Sequence, residues 1–249
     1  MKFRLDNYTL KLTNHSEMLK LFLPFLTFII AANPLFPQKP GKKSVFGVNS
    51  GVTVPFDDFA DKTMNYRAGF ASAGPNIETE CLYYGKIFGF SSSIGYASVF
   101  FNEKAYQTEY TRVLEGYGTN VVTAENYQML KFLVGFTLKV PEFSHTEVML
   151  LFHLGYALTV HPDLLVTNSE LGEINRVSKD AAGAPVSNAG LKINYWLNER
   201  YGLSLNAGLN LTRPGFYDNT GPGGSFFMPI HYSNINVGFV MNLKAAPTL

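Results

Sequence analysis

The feature that most limits what this chain can fold into is the stretch over residues 127–160. Leu130, Phe132, Val134, Phe136, Leu138 and Val140 share one parity, with Lys131, Gly135, Thr137 and Lys139 between them. After a very short turn, Val148, Leu150, Phe152, Leu154, Tyr156, Leu158 and Val160 alternate with His145, Glu147, His153, Gly155, Ala157 and Thr159. A period of two is that of a strand, whose successive side chains leave opposite faces. Strands in soluble domains run to about 5–6 residues. A strand that crosses a bilayer needs about 9–11, apolar toward lipid and polar toward the lumen. The hairpin predicts the second environment.

The same alternation recurs over residues 44–56, 69–84 (interrupted by Pro75), 87–102, 188–197, 203–213 and 231–243, which with the hairpin makes eight strands. The connections alternate in length. Gly85-Lys86, Glu142-Phe143-Ser144 and Asn198-Glu199-Arg200 are short, whereas 57–68, 103–126, 161–187 and 214–230 are long. Short turns at one end and long loops at the other are the habit of barrels that span a membrane. Lipid forbids an open sheet edge, so the first strand must pair with the last. The predicted fold is all-β: an eight-stranded antiparallel up-and-down transmembrane β-barrel over residues 39–249. A soluble β-sandwich or lipocalin-like binder is the rival, and it has no reason to keep the loop asymmetry.

Charged residues make up 16% of the 249 positions, below the ~25% of soluble domains. A formal charge of +1 gives no reason to expect nucleic acid. Cys81 stands alone, so no internal disulfide, thiolate metal cluster or lipoprotein anchor is expected. Residues 1–38 read as an export signal. The apolar run 21–32 follows Lys20, is broken by Pro24, and is too short for a comfortable membrane helix; an N-terminal anchor is the alternative, and Met18 would make a more ordinary start.

No phosphate-binding fingerprint occurs, and Gly221-Pro222-Gly223-Gly224 reads as a loop. His15, His145, His153 and His161 lack metal-ligand spacing. Asp57, Asp58 and Asp61 could hold calcium, although solvated loop charge is the plainer reading. No metal or cofactor is expected.

Inward parity sends Glu78, Glu80 and Glu147, together with Lys131, Lys139, Lys192 and His153, into the lumen. An eight-stranded barrel is just wide enough for side chains to fill it, so these groups are expected to form a buried polar network. A narrow channel is the rival. Aromatics near the strand ends suit interfacial girdles: Tyr83, Tyr84, Phe88, Tyr195, Trp196 and Tyr201 below, Phe56, Phe100, Phe101 and Tyr127 above.

With this pattern the chain resembles small outer-membrane barrels of the OmpA/OmpX type, and most of all the PorT-like outer-membrane β-barrel domain family of Bacteroidota. The resemblance covers residues 44–243 and implies the outer membrane of a Gram-negative bacterium, with the amino terminus periplasmic and lipid and lipopolysaccharide around the barrel. The run Asn236-Val237-Gly238-Phe239-Val240-Met241-Asn242-Leu243 is similar to the C-terminal β-signal. That likeness implies that Asn236, Gly238, Met241 and Leu243 are read by the barrel-assembly machinery, although residues 244–249 follow where such chains often end on an aromatic. His231-Tyr232-Ser233-Asn234 resembles the H-x-S-N signature of outer-membrane lipid A deacylases, whose His and Ser act with a Glu on the lipid-facing wall. No Asp or Glu follows Ser233 here, and the neighbouring loop carries only Asp218.

The long loops carry Tyr106, Tyr110, Tyr117, Phe216, Tyr217, Phe226 and Phe227, residue types common on binding surfaces. They could equally fold over the mouth and pack on one another. The expected function is a structural, adhesive or assembly component that acts through these loops, with a protein ligand and without catalysis. Lipid A ester hydrolysis by His231 and Ser233 is the runner-up.

Overall fold

The computed structural model describes residues 43–65, 67–113, 118–140, 145–218 and 224–243; the expected export segment lies outside them. In chain order the elements are β1 (Lys43–Phe56), β2 (Ala71–Ser72), β3 (Gly74–Tyr84), β4 (Phe88–Phe101), α1 (Glu103–Val113), β5 (Asn120–Ala124), β6 (Tyr127–Lys139), β7 (Thr146–His161), β8 (Leu164–Asn168), β9 (Gly172–Val177), β10 (Asp180–Trp196), β11 (Tyr201–Thr212), β12 (Gly215–Asp218), β13 (Gly224–Phe227) and β14 (Ile230–Asn242).

Eight of these form one closed antiparallel meander: β1, β3, β4, β6, β7, β10, β11 and β14. Each pairs with its neighbour in sequence, and β14 returns to β1 with Val45 opposite Asn242 and Phe56 opposite His231. No barrel edge is left open, which is what a lipid environment demands.

Period-two sequence decides which side meets what. Phe136 is 58% exposed, Leu154 69% and Phe239 72%, whereas the inward Lys192, Asn49 and Thr53 are fully buried. An apolar exterior around a polar interior is stable only when the outer solvent is hydrocarbon. Among the described residues no helix is long and apolar enough to cross a membrane; the crossing is made by strands.

Three expectations need correcting. The sixth strand starts at Asp180, not 188. Its first half, with Ala181, Ala182, Gly183, Ala184 and Pro185, has no apolar alternation, yet it pairs residue for residue with β7. The inward face is not purely polar, since Met129, Leu133, Met149 and Leu151 are also buried there. Three supposed girdle residues, Tyr84, Trp196 and Tyr127, have inward parity and are buried. The long loops carry secondary structure of their own.

Loop segments β5, β8 and β9 form a three-stranded antiparallel sheet with a small core of Val122, Leu164 and Val166 under Tyr106 and Tyr110. Burial pushes the Tyr106 phenol up to about 12. Helix α1 covers the β5 edge: Gln107 Nε2 donates to the Asn120 carbonyl at 2.6 Å, and Glu103 Oε1 accepts from the Ala124 amide at 2.7 Å. At the opposite edge the register shifts between Val166 and Thr167, a bulge on β9. Bulges and covering helices both blunt a sheet edge against further pairing.

Candidate functional site

The lumen is built from rows of inward residues, and several rows contain a glycine flanked by polar side chains. Glu78, Gly95 and Lys131 are cross-strand neighbours on β3, β4 and β6. Lys131 Nζ lies 2.7 Å from Glu78 Oε2. Ser91, Gly135 and His153 form a second such row, closed by Ser91 Oγ at 2.5 Å from His153 Nε2. Asn49, Gly238 and Ser204 form a third, closed by the Ser204 hydroxyl donating to Asn49 Oδ1. A Cβ on Gly95 would meet Lys131 Cε at 2.6 Å. The missing side chain is what lets the flanking groups reach each other.

These bonds extend into two sets. Glu80 accepts from Lys192 and from Asn49. Lys131 Nζ donates to Asn210 Oδ1 at 3.3 Å, which also accepts from Asn188 Nδ2 at 3.1 Å. Asn188 Nδ2 also donates to the Leu209 carbonyl, turning its Oδ1 toward His153 Nδ1 at 3.2 Å. His153 therefore carries its proton on Nδ1, and Nε2 accepts the Ser91 hydroxyl, which also contacts Thr137 at 2.8 Å. Serine, imidazole and carboxamide stand in the order of a nucleophile, its base and an orienting group, but all within a packed lumen.

At the short-turn end Glu147 is the hub. Lys43 Nζ lies at 2.7 Å, Lys139 Nζ at 2.9 Å and the Tyr84 hydroxyl at 2.5 Å. Lys43 also sits over the Trp196 ring at 5.1 Å. All seven inward residues named from sequence are buried, divided among these clusters, and Lys43 adds a cation that parity counting overlooked. Sequence reading also passed over Asn49, Ser91, Asn188, Ser204 and Asn210. Their inward parity was the available signal, but uncharged side chains do not stand out in a strand.

At the long-loop end of the barrel stands an apolar cluster to which all four long connections, or the strand ends beside them, contribute. Phe59, Tyr127, Phe216, Met228 and Ile230 are buried together with Ala97, Val99 and Met129 from the barrel wall. The His161 ring stands edge-on to Tyr127, Phe216 and Phe226, at 5.5, 5.4 and 5.9 Å. Of the loop aromatics, Tyr106, Phe216 and Phe226 turn inward, whereas Tyr217 and Phe227 are exposed; Tyr117 lies outside the described residues.

On the outer wall His231 and Ser233 share the face of Ile235 and Val237, as their spacing requires. The acid near His231 is Asp57, Oδ2 to Nδ1 3.1 Å, brought there because Phe56 lies opposite His231. It precedes the serine by most of the chain, where a search downstream could not find it. The Ser233 hydroxyl is 3.4 Å from the Val54 carbonyl. Asp61 is engaged by Thr63 and Asn65, and among the described residues no group of His, Cys, Asp or Glu could hold a metal ion. Of the β-signal positions, Asn236 and Gly238 take part in lumen rows, Met241 faces outward and Leu243 lies just past β14.

No protein-family model matches the sequence, and no curated protein matches it either. Among solved structures, the chain is similar to a major outer membrane protein from Thermus thermophilus (TM-score 0.46, 12% identity, covering 80% of this chain and 98% of that one). It is also similar to Neisserial surface protein A (0.44, 8%, 82% and 99%) and to OprG from Pseudomonas aeruginosa (0.42, 10%, 82% and 98%). By its own strand pairing and its apolar exterior, the chain is an eight-stranded β-barrel of the outer-membrane type.

Proposed function

We propose that this protein is a sealed outer-membrane barrel that acts through its outer platform as a structural, adhesive or assembly component, without a catalytic step. The observation that carries this reading is the buried cluster around Phe216 and Tyr127, which stands above the Lys131–Glu78 layer. Ordered loops on a rigid frame suit recognition, and the fixed surface of α1 with the β5–β8–β9 sheet is the part a protein partner would meet. Lipid and lipopolysaccharide surround the wall, and the barrel-assembly machinery would read residues 236–243 during biogenesis. Planar-bilayer recording of the purified barrel tests the seal; discrete, ion-selective currents would favour a narrow channel. Replacing residues 164–177 by a short linker should leave heat-modifiable gel migration intact and abolish surface binding or cell–cell adhesion.

A second reading is favoured by one observation, the Asp57–His231 pair. It gives the lipid-facing His231 the acid a base needs, with Ser233 two residues along the same face. Lipid A ester hydrolysis would then fall on Ser233→Ala and on Asp57→Asn alike. Unchanged lipid A acylation between the wild type and Ser233→Ala rejects it.

A further inference from the structure

One glycine row departs from the other three. Gly51 lies between Asn76 on β3 and Asn236 on β14, the same arrangement that is bridged directly across Gly95, Gly135 and Gly238. Here the flanking side chains do not bond each other. Asn76 and Asn236 are 7% and 1% exposed, and both Nδ2 and Oδ1 of each lack a protein partner among the described residues. Asn236 lies over the glycine: a Cβ on Gly51 would lie 2.6 Å from Asn236 Oδ1. The two backbones stand two strand spacings apart, about 10 Å, and a single small molecule over a residue without a side chain can meet the unpaired donors and acceptors of both carboxamides.

The chemistry of the row selects the occupant. It continues as Ala97, Asn76, Gly51, Asn236, Asn206, with no carboxylate, and Lys192 follows beside Asn206. A cation would find no counter-charge in this row and a lysine at its end. Two carboxamides offer donors and acceptors in equal number, which matches a ligand that both gives and takes hydrogen bonds. Buried waters typically make about three such bonds to otherwise unpaired polar groups.

We infer that Asn76 and Asn236 form an internal binding site for water over Gly51. It would lie between Glu80 and the aromatic mouth, making water a structural member of the lumen. The site goes beyond the sealed-barrel reading and stands whether or not the loops bind a partner.

Water-edited solid-state NMR of the full chain in deuterated lipid bilayers tests this directly. The expected result is rapid transfer of water magnetisation to the Asn76 and Asn236 side-chain amides, clearly above the buried Leu133 backbone. Asn236→Leu should reduce transfer at Asn76 to the Leu133 level, and Asn76→Leu should do the same at Asn236, so either variant serves if the other fails to assemble. Wild-type amides as silent as Leu133, or an Asn76 signal indifferent to Asn236→Leu, would overturn the site.

Discussion

Lys131 reaches Glu78 across a strand that contributes no side chain between them: their charged ends are 2.7 Å apart, and Gly95 is the cross-strand neighbour of both. Both residues are buried, so neither charge can be relieved by bulk water. Removing one partner of a buried pair leaves an uncompensated charge, whereas removing both leaves none. Lys131→Met alone should therefore destabilise the barrel by about 3–5 kcal/mol, and the double variant Lys131→Met with Glu78→Leu should be near neutral or more stable. Urea unfolding in lipid vesicles measures both.

The lumen glycines differ in what an added methyl would strike. At Gly95 the nearest atom is the flexible Lys131 Cε at 2.6 Å, whereas at Gly135 it is the Phe152 carbonyl oxygen, closer still. A side-chain end can swing aside and a paired backbone cannot. Gly135→Ala should cost more than Gly95→Ala, with the larger effect in the overpacking range of about 1–3 kcal/mol. Refolding yield read by heat-modifiable migration ranks the two.

Phe216 anchors the β12–β13 hairpin in the mouth, fully buried against Tyr127, Met228 and Ile230. Phe216→Ala removes that anchor at a cost of up to about 3–5 kcal/mol, borne by the hairpin and not by the barrel wall. Protease cleavage within residues 214–229 on intact cells should rise sharply while gel migration of the folded barrel is unchanged. Bilayer recordings should stay silent, because the ion-paired layers beneath remain.

Outward positions should obey a lipid rule. Leu154→Lys, on the exposed wall, should cost about 2–4 kcal/mol. Thr123→Lys, on the exposed side of the loop sheet, should stay within about 0.5 kcal/mol. Equilibrium unfolding in vesicles separates the two environments.

What sequence made legible was whatever parity governs. It put the seven inward charged and imidazole side chains on one side, where they are buried, because a strand offers a residue only two directions. It could not choose partners: Glu147 draws Lys43 and Lys139 together from distant parts of the chain, and His153 bonds a serine instead of a carboxylate. Parity also could not reveal the first half of β10, where alanine, glycine and proline carry no alternation. The loop sheet was hidden for a different reason, since β5 and β8 are five residues each and their core forms only when separate connections meet. Asp57 escaped notice beside His231 because that contact comes from the closing pair of strands.

The central claim is that acyl chains wet the hydrophobic side of this closed sheet. The chain has a single tryptophan, Trp196, which faces inward, so a reporter is easily isolated by placing Leu154→Trp in a Trp196→Phe background. In vesicles of lipids brominated on the acyl chains, fluorescence of this tryptophan should be strongly quenched while aqueous acrylamide has little effect. Strong quenching by acrylamide together with indifference to bromine would contradict the membrane assignment.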